Sequence, residues 1–247
     1  MTDYSDWEFL LEGDTQEFRN LVSRQGTRIF NLYGGVDEWL DCPNDDFRMT
    51  TLYSEGETDS SVIWQVGYEL ISLFNGASVL FRKDYRRASI YKLLHNGMEV
   101  RYIPPQGTLA LLGRPNCSDL QLAEEFLNAK RSSIKFQLIH LATENQDVYF
   151  ILKYLGMEAS WATYYKLLES LEQFANKNAL DLGIGVDRRR SFRNTANTFS
   201  LSGFDSRHGF KELTKKNNTA SMTIHEAHRF VTDATKKYLG LMYIKKT

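Results

Sequence analysis

The chain has 247 residues, 30 Lys+Arg against 31 Asp+Glu, 42% apolar residues and only 4 prolines. This composition supports a sizeable buried core and argues against a long disordered linker. Its start, MTDYSDWEF, has no apolar leader, no apolar run is long enough to cross a bilayer, and Cys42 and Cys117 lack metal-ligand or disulfide-framework spacing. The expectation is a cytoplasmic protein with no membrane association and no metal or other cofactor.

The near-neutral total hides an asymmetry. Residues 1–60 hold 14 acidic and 4 basic residues, −10, and the remainder carries +9. An acidic front repels polyanions and offers a surface to a partner protein, whereas a basic rear attracts phosphates.

In chain order, RIFNLY and FRMTTLY read as short strands around the turn-like GGVDEWLDCPNDD. Asp59 is placed to cap a helix carrying Ile63, Val66, Leu70, Ile71 and Phe74, with Asn75-Gly76 as its stop and SVLF as a following strand. SIYKLLHNGMEVRYI predicts a hairpin turning at Asn96-Gly97. The pairs His95/Met98, Leu93/Val100 and Tyr91/Tyr102 then form an apolar face.

From Ser118 the pattern turns helical. Ser118 and Gln121 have capping-box spacing ahead of Leu122, Phe126 and Leu127, and a second helical segment over 134–142 contains His140 as a core-edge residue. Val148, Ile151, Leu152 and Leu155 mark a helix ending at Gly156, and Trp161, Tyr164, Tyr165, Leu168, Leu171 and Ala175 mark a longer one. DLGIGVD breaks the run without the strand context of a dinucleotide loop. A helix over 187–199, the loop SLSGFDSRHG, and a last helix capped by Thr223 and Glu226 complete the chain. The fold class is therefore α+β, with a mixed domain over 1–117 and a helical bundle over 118–247.

The chemistry concentrates in the bundle. Arg189, Arg193 and Asn197 fall at i, i+4 and i+8 of one helix and share a face, with Phe192, Ala196 and Phe199 as its apolar anchor. Arg188, Arg189, Arg190, Lys211 and Lys215 are candidate phosphate contacts, and Arg193, Asn197, Arg207 and His208 form a candidate catalytic set. Arginine offers a rigid donor fork matched to phosphate, and histidine titrates near neutrality, so the set suits metal-free attack by an RNA 2′-hydroxyl. Alternatively, the same residues form a phosphate grip without turnover, or a polar brace in which Arg207 and His208 cap a helix or pair with Asp205 and Asp187. His225 and His228 read as surface or packing residues.

The ordered set SWATYYKLLESLE, FRNTAN, SRHG and SMTIHEAHRFV resembles the HEPN domain over roughly residues 145–240. That resemblance implies either a metal-independent ribonuclease or a non-catalytic partner in toxin–antitoxin and phage-defence systems. It also implies a dimer with its site across the bundle interface. The family's histidine follows the Arg-polar pair by a few residues; here Arg193-Asn194 is followed by Thr198, Phe199 and Ser200 in that place, and His208 comes later.

Overall fold

The computed structural model describes residues 6–24, 26–35, 46–106, 113–210 and 220–244. They form two compact units, 1–152 and 153–247.

The first unit is built on a five-stranded antiparallel sheet in the order β2-β3-β1-β4-β5. Its strands are β1 (Trp7–Glu12), β2 (Asn31–Gly34), β3 (Phe47–Thr50), β4 (Ser89–His95) and β5 (Met98–Glu99). One rung explains why these segments assemble. Leu32 faces Met49, Met49 faces Phe9, and Phe9 faces Leu93, so four apolar side chains cross four strands side by side. All four are buried. Helix α2 (Ser60–Phe81) packs over this row, and Gly67 permits the approach: a Cβ there would lie 2.4 Å from the Phe9 ring.

The central strand β1 and the short helix α1 (Thr15–Val22) were not expected from the sequence. The strand RIFNLY is trimmed to its second half, and FRMTTLY yields β3 followed by a 3-10 turn at Leu52–Ser54. Residues 36–45 of the intervening turn, with Cys42, lie outside the described residues.

Asp59 caps α2 as expected, its carboxylate accepting from the Ser61 N–H. The stop at Asn75-Gly76 is corrected: the helix continues to Phe81, and SVLF is helical. Asn75 faces inward, where its amide donates to the Ala88 carbonyl (2.9 Å) and its Oδ1 accepts from the Ala88 N–H (2.8 Å) and the Tyr85 hydroxyl (3.1 Å). A buried amide whose oxygen and nitrogen are both engaged elsewhere no longer competes with its own backbone. Gly76 is there for contact, since a Cβ would stand 2.0 Å from the Leu152 carbonyl oxygen.

The hairpin turns at Asn96-Gly97, both at positive φ (51° and 76°), as a primed turn requires. His95/Met98 pair as expected, and the Val100 N–H donates to the Leu93 carbonyl. The apolar face is corrected. The ladder skips Tyr91, because Leu10 faces Lys92 and Leu11 faces Ile90, so the bulge turns Tyr91 outward and buries Ile90 with Leu93. Met98 is 72% exposed, and Tyr102 leaves the pairing to set its ring edge-on against Trp64.

Helices α3 (Asp119–Ser132), α4 (Ile134–Glu144) and most of α5 (Gln146–Gly156) belong to this first unit, so the compact units divide 35 residues beyond the expected 117/118 boundary. Polar and aromatic contacts hold α3 and α4 there. The Lys135 ammonium pairs with Glu17 of α1, both nearly buried, Glu125 accepts from the Arg28 N–H (2.6 Å), and Phe136 meets Phe30. The capping box at Ser118/Gln121 is present, but α3 buries Leu122, Glu125 and Ala129, leaving Leu127 exposed. His140 is deeper than a core-edge residue, at 2% exposure.

The second unit is helical among its described residues. It comprises the end of α5, α6 (Trp161–Lys177), α7 (Val186–Asn197), the short α8 (Phe199–Ser202), α9 (Ile224–Leu239) and a π turn at Gly240–Ile244. The α9 capping box at Thr223/Glu226 and its buried Ala227, Phe230, Val231, Ala234 and Tyr238 agree with expectation. The α+β fold class therefore stands, as does the absence, among the described residues, of any helix long and apolar enough to cross a membrane.

Much of the front's negative charge is used internally. Glu8 and Asp46 hold Arg48, Asp14 caps α1 and pairs with Arg82, and Glu55 pairs with Arg28.

Two outcomes follow from this packing. Gly76→Ala is expected to destabilise the protein by about 2–3 kcal/mol, because backbone must move to admit the methyl group; urea unfolding measures it. Burial lowers the His140 pKa from 6.5 to about 4. The unfolded chain then binds a proton that the folded chain refuses between those values, so stability is full above about pH 6.5 and falls on acidification toward 4. Wild type should lose roughly 1–2 kcal/mol more than His140→Leu between pH 6.5 and 5, as read by urea midpoints at each pH.

Candidate anion-binding cleft on α7

The second unit presents one cleft of particular chemical interest, about 580 Å³, lined by Ile184, Val186, Arg189, Arg190, Arg193, Asn194, Asn197 and Thr198. Helix α7 builds nearly all of it. Phe192 turns into the bundle and meets Trp161 (ring centroids 5.9 Å), Tyr165 (6.3 Å) and Phe230 (5.4 Å). Ala196 is buried beside it, and Thr195 is locked by accepting from the Met222 N–H. With that stripe fixed inward, the residues at i, i+4 and i+8 face the cleft, as the spacing predicted.

The arginines differ in how they are held. Arg189 makes a two-pronged pair with Glu172 of α6, Nε to Oε1 and Nη2 to Oε2, each 2.5 Å. That pairing, with burial opposing it, holds the guanidinium above its ordinary pKa. Arg193 reaches the same carboxylate at 3.4 Å, a longer contact. Among the described residues Arg190 approaches Asp187, at 3.8 Å on the open surface. Two guanidiniums, Arg189 and Arg193, therefore share one carboxylate whose side chain is 17% exposed, and Arg190 adds a third positive charge to the wall. The positive end of the α7 dipole adds to the same field.

Arg188 leaves the cleft and lies over the Phe230 ring, 5.2 Å from its centroid. Asn197 lines the cleft, and its Oδ1 is buried with no hydrogen-bond partner among the described residues. Arg207 stacks on Tyr165 at 4.1 Å and stands 3.9 Å from Glu169. It therefore has neither of the acidic partners, Asp205 and Asp187, that the sequence suggested for a brace. Its backbone N–H donates to the Ala196 carbonyl (2.8 Å), which ties the loop to the end of α7. His208 is exposed, its N–H directed to the Ser206 hydroxyl, and it is not among the residues lining the cleft. Lys211 and Lys215 lie outside the described residues.

The structure thus groups Arg189, Arg190, Arg193 and Asn197 and sets Arg188, Arg207 and His208 apart from that lining. Sequence reading missed Glu172, Glu169 and Tyr165. Their register within the apolar stripe of α6 was the available signal, since Glu169 and Glu172 are offset from Tyr165 by four and seven residues. The packing reading of His228 agrees with its Nδ1 lying 2.8 Å from the Tyr164 hydroxyl. No group of His, Cys, Asp and Glu among the described residues could hold a metal ion.

No protein-family model, curated protein or solved structure matches the chain.

The unequal pairing has a measurable consequence. Arg189→Ala leaves Glu172 without its short partner and should cost roughly 1–2 kcal/mol, between the values of exposed and buried pairs. Arg193→Ala, losing one long contact, should fall within about 0.5 kcal/mol of wild type. Urea unfolding at pH 7 separates the two.

Proposed function

We propose that the α7 cleft binds a phosphate-bearing ligand, an RNA strand or a nucleotide, and grips it without turnover. The observation that carries this reading is the convergence of Arg189, Arg190 and Arg193 on one cleft with Glu172 as the principal counter-charge. Arg190 and Arg193 retain donors for an incoming phosphate, and the side-chain amides of Asn194 and Asn197 add uncharged polar atoms on the same wall. Arg189 serves mainly to set the wall, because its fork is already occupied. The resemblance to HEPN domains fits this role, since such domains occur as non-catalytic members of toxin–antitoxin and phage-defence systems. In the same reading the acidic front serves a protein partner and the bundle a dimer.

A metal-independent ribonuclease is the second reading, and one observation favours it. The bond from the Arg207 N–H to the Ala196 carbonyl brings the loop back to the residue adjoining Asn197. Catalysis there requires His208 to swing from its exposed position onto the phosphate held by Arg193.

Both readings are tested with end-labelled single-stranded RNA in EDTA. In the binding reading, anisotropy reports affinity that falls with salt, with a log–log slope of about −1.4 to −2.1 for two or three neutralised phosphates. Arg193→Ala weakens binding about 5- to 10-fold and flattens that slope by about 0.7, while the RNA stays intact. An affinity indifferent to both salt and Arg193→Ala sinks the proposal. RNA cut by wild type and spared by a folded His208→Ala protein moves the assignment to the ribonuclease.

A further inference from the structure

A second cavity lies within the first unit, between α3 and α4, with a volume of about 340 Å³. Leu122, Ala123, Phe126 and Leu141 give it apolar walls, Arg114, Asp119 and Glu144 stand around it, and His140 lines it. The histidine is the anomaly. It is 2% exposed, its ring lies 5.1 Å from that of Phe126, and its Nδ1 is buried without a hydrogen-bond partner among the described residues. Buried polar atoms are ordinarily paired, so a histidine with an unpaired ring nitrogen in the wall of a cavity is unusual.

We propose that this cavity binds a small, uncharged heteroaromatic molecule whose ring packs against Phe126 and Leu122 and whose polar edge hydrogen-bonds the His140 imidazole. The volume sits at the small end of ligand pockets and suits two fused rings. The charges around the cavity argue against an anion, and the apolar walls beside His140 favour an uncharged guest. Arg114 is already paired with Asp119, and Glu144 contributes a further negative charge. This also separates the site from the α7 cleft, whose arginines favour anions. Burial keeps the imidazole neutral above about pH 4, so it offers one donor and one acceptor and no ion pair. The tautomer decides which of the two faces the guest.

The test uses the full chain at pH 7.5 and three fused-ring probes of similar shape: indole as a donor, isoquinoline as an acceptor, and indene with neither. Binding is followed by calorimetry and by the histidine ring signals in NMR. Indole or isoquinoline should bind about 5- to 10-fold more tightly than indene, as one hydrogen bond provides, and should move the His140 signal saturably. His140→Phe, which keeps an aromatic ring and removes both nitrogens, should bring that probe down to the level of indene. Equal affinity for all three probes, or no binding by any, overturns the proposal. The wild-type probe series decides the matter even where the variant does not fold.

Discussion

The anchoring of Phe192 sets which face of α7 lines the arginine cleft of the second unit. Its ring lies among Trp161, Tyr165 and Phe230, and burying an aromatic of that size is worth about 2–3 kcal/mol before ring-edge contacts are added. Few other apolar side chains are available to α7, whose sequence VDRRRSFRNTAN is otherwise almost wholly polar. The helix can therefore sit in only one rotation. Once Phe192 and Ala196 are inward, Arg189, Arg190, Arg193 and Asn197 are obliged to gather on the cleft wall, whatever the repulsion among them.

That repulsion explains Glu172. Two guanidiniums on adjacent turns repel most where solvent is partly excluded, and a carboxylate supplied by α6 relieves this locally. A single carboxylate is not enough to neutralise the wall. The geometry divides labour instead: Arg189 is saturated by the short two-pronged pair, and Arg193 is only grazed by it. Arg207 is handled differently, spreading its charge over the Tyr165 ring near Glu169. Of the arginines the sequence singled out together, Arg189 is tightly paired, while Arg190 and Arg193 make only long contacts.

What could be read from the sequence was what a local rule governs. The capping boxes at Ser118 and Thr223, the cap at Asp59, the primed turn at Asn96-Gly97 and the stripe of α6 each depend on residues within a few positions of one another. The failures have a common cause in tertiary contact. Asn75-Gly76 resembles a helix stop, yet the backbone around Ala88 satisfies the asparagine and Leu152 demands the glycine. The central strand β1 carries no period-two alternation because Trp7, Phe9, Leu10 and Leu11 are all buried. The change from sheet to helix at 118 is real, but Glu125 with the Arg28 N–H ties α3, and Lys135 with Glu17 and Phe136 with Phe30 tie α4, into the sheet's unit. The register of α6 placed Glu169 and Glu172 on the face of Tyr165, but only the packing of α7 assigns Glu172 to Arg189 and Glu169 to Arg207.

The two histidines drawn from the sequence show why residue type alone underdetermines chemistry. A proton-transfer agent needs both access to the reacting atom and a charge state that can change near neutrality. His208 has solvent access but is not among the residues lining the arginine cleft, so it falls short on the first requirement. His140 has the opposite limitation: it is fixed against a cavity, but burial holds it neutral down to about pH 4, which removes it from acid–base work at physiological pH. What remains to His140 is the hydrogen bond. A neutral imidazole in an apolar wall costs stability unless something pairs with it, whereas an arginine on a wet wall costs little while it waits. The desolvated imidazole therefore has more to gain from a hydrogen-bond partner than the solvated arginines of the α7 cleft have from a further one.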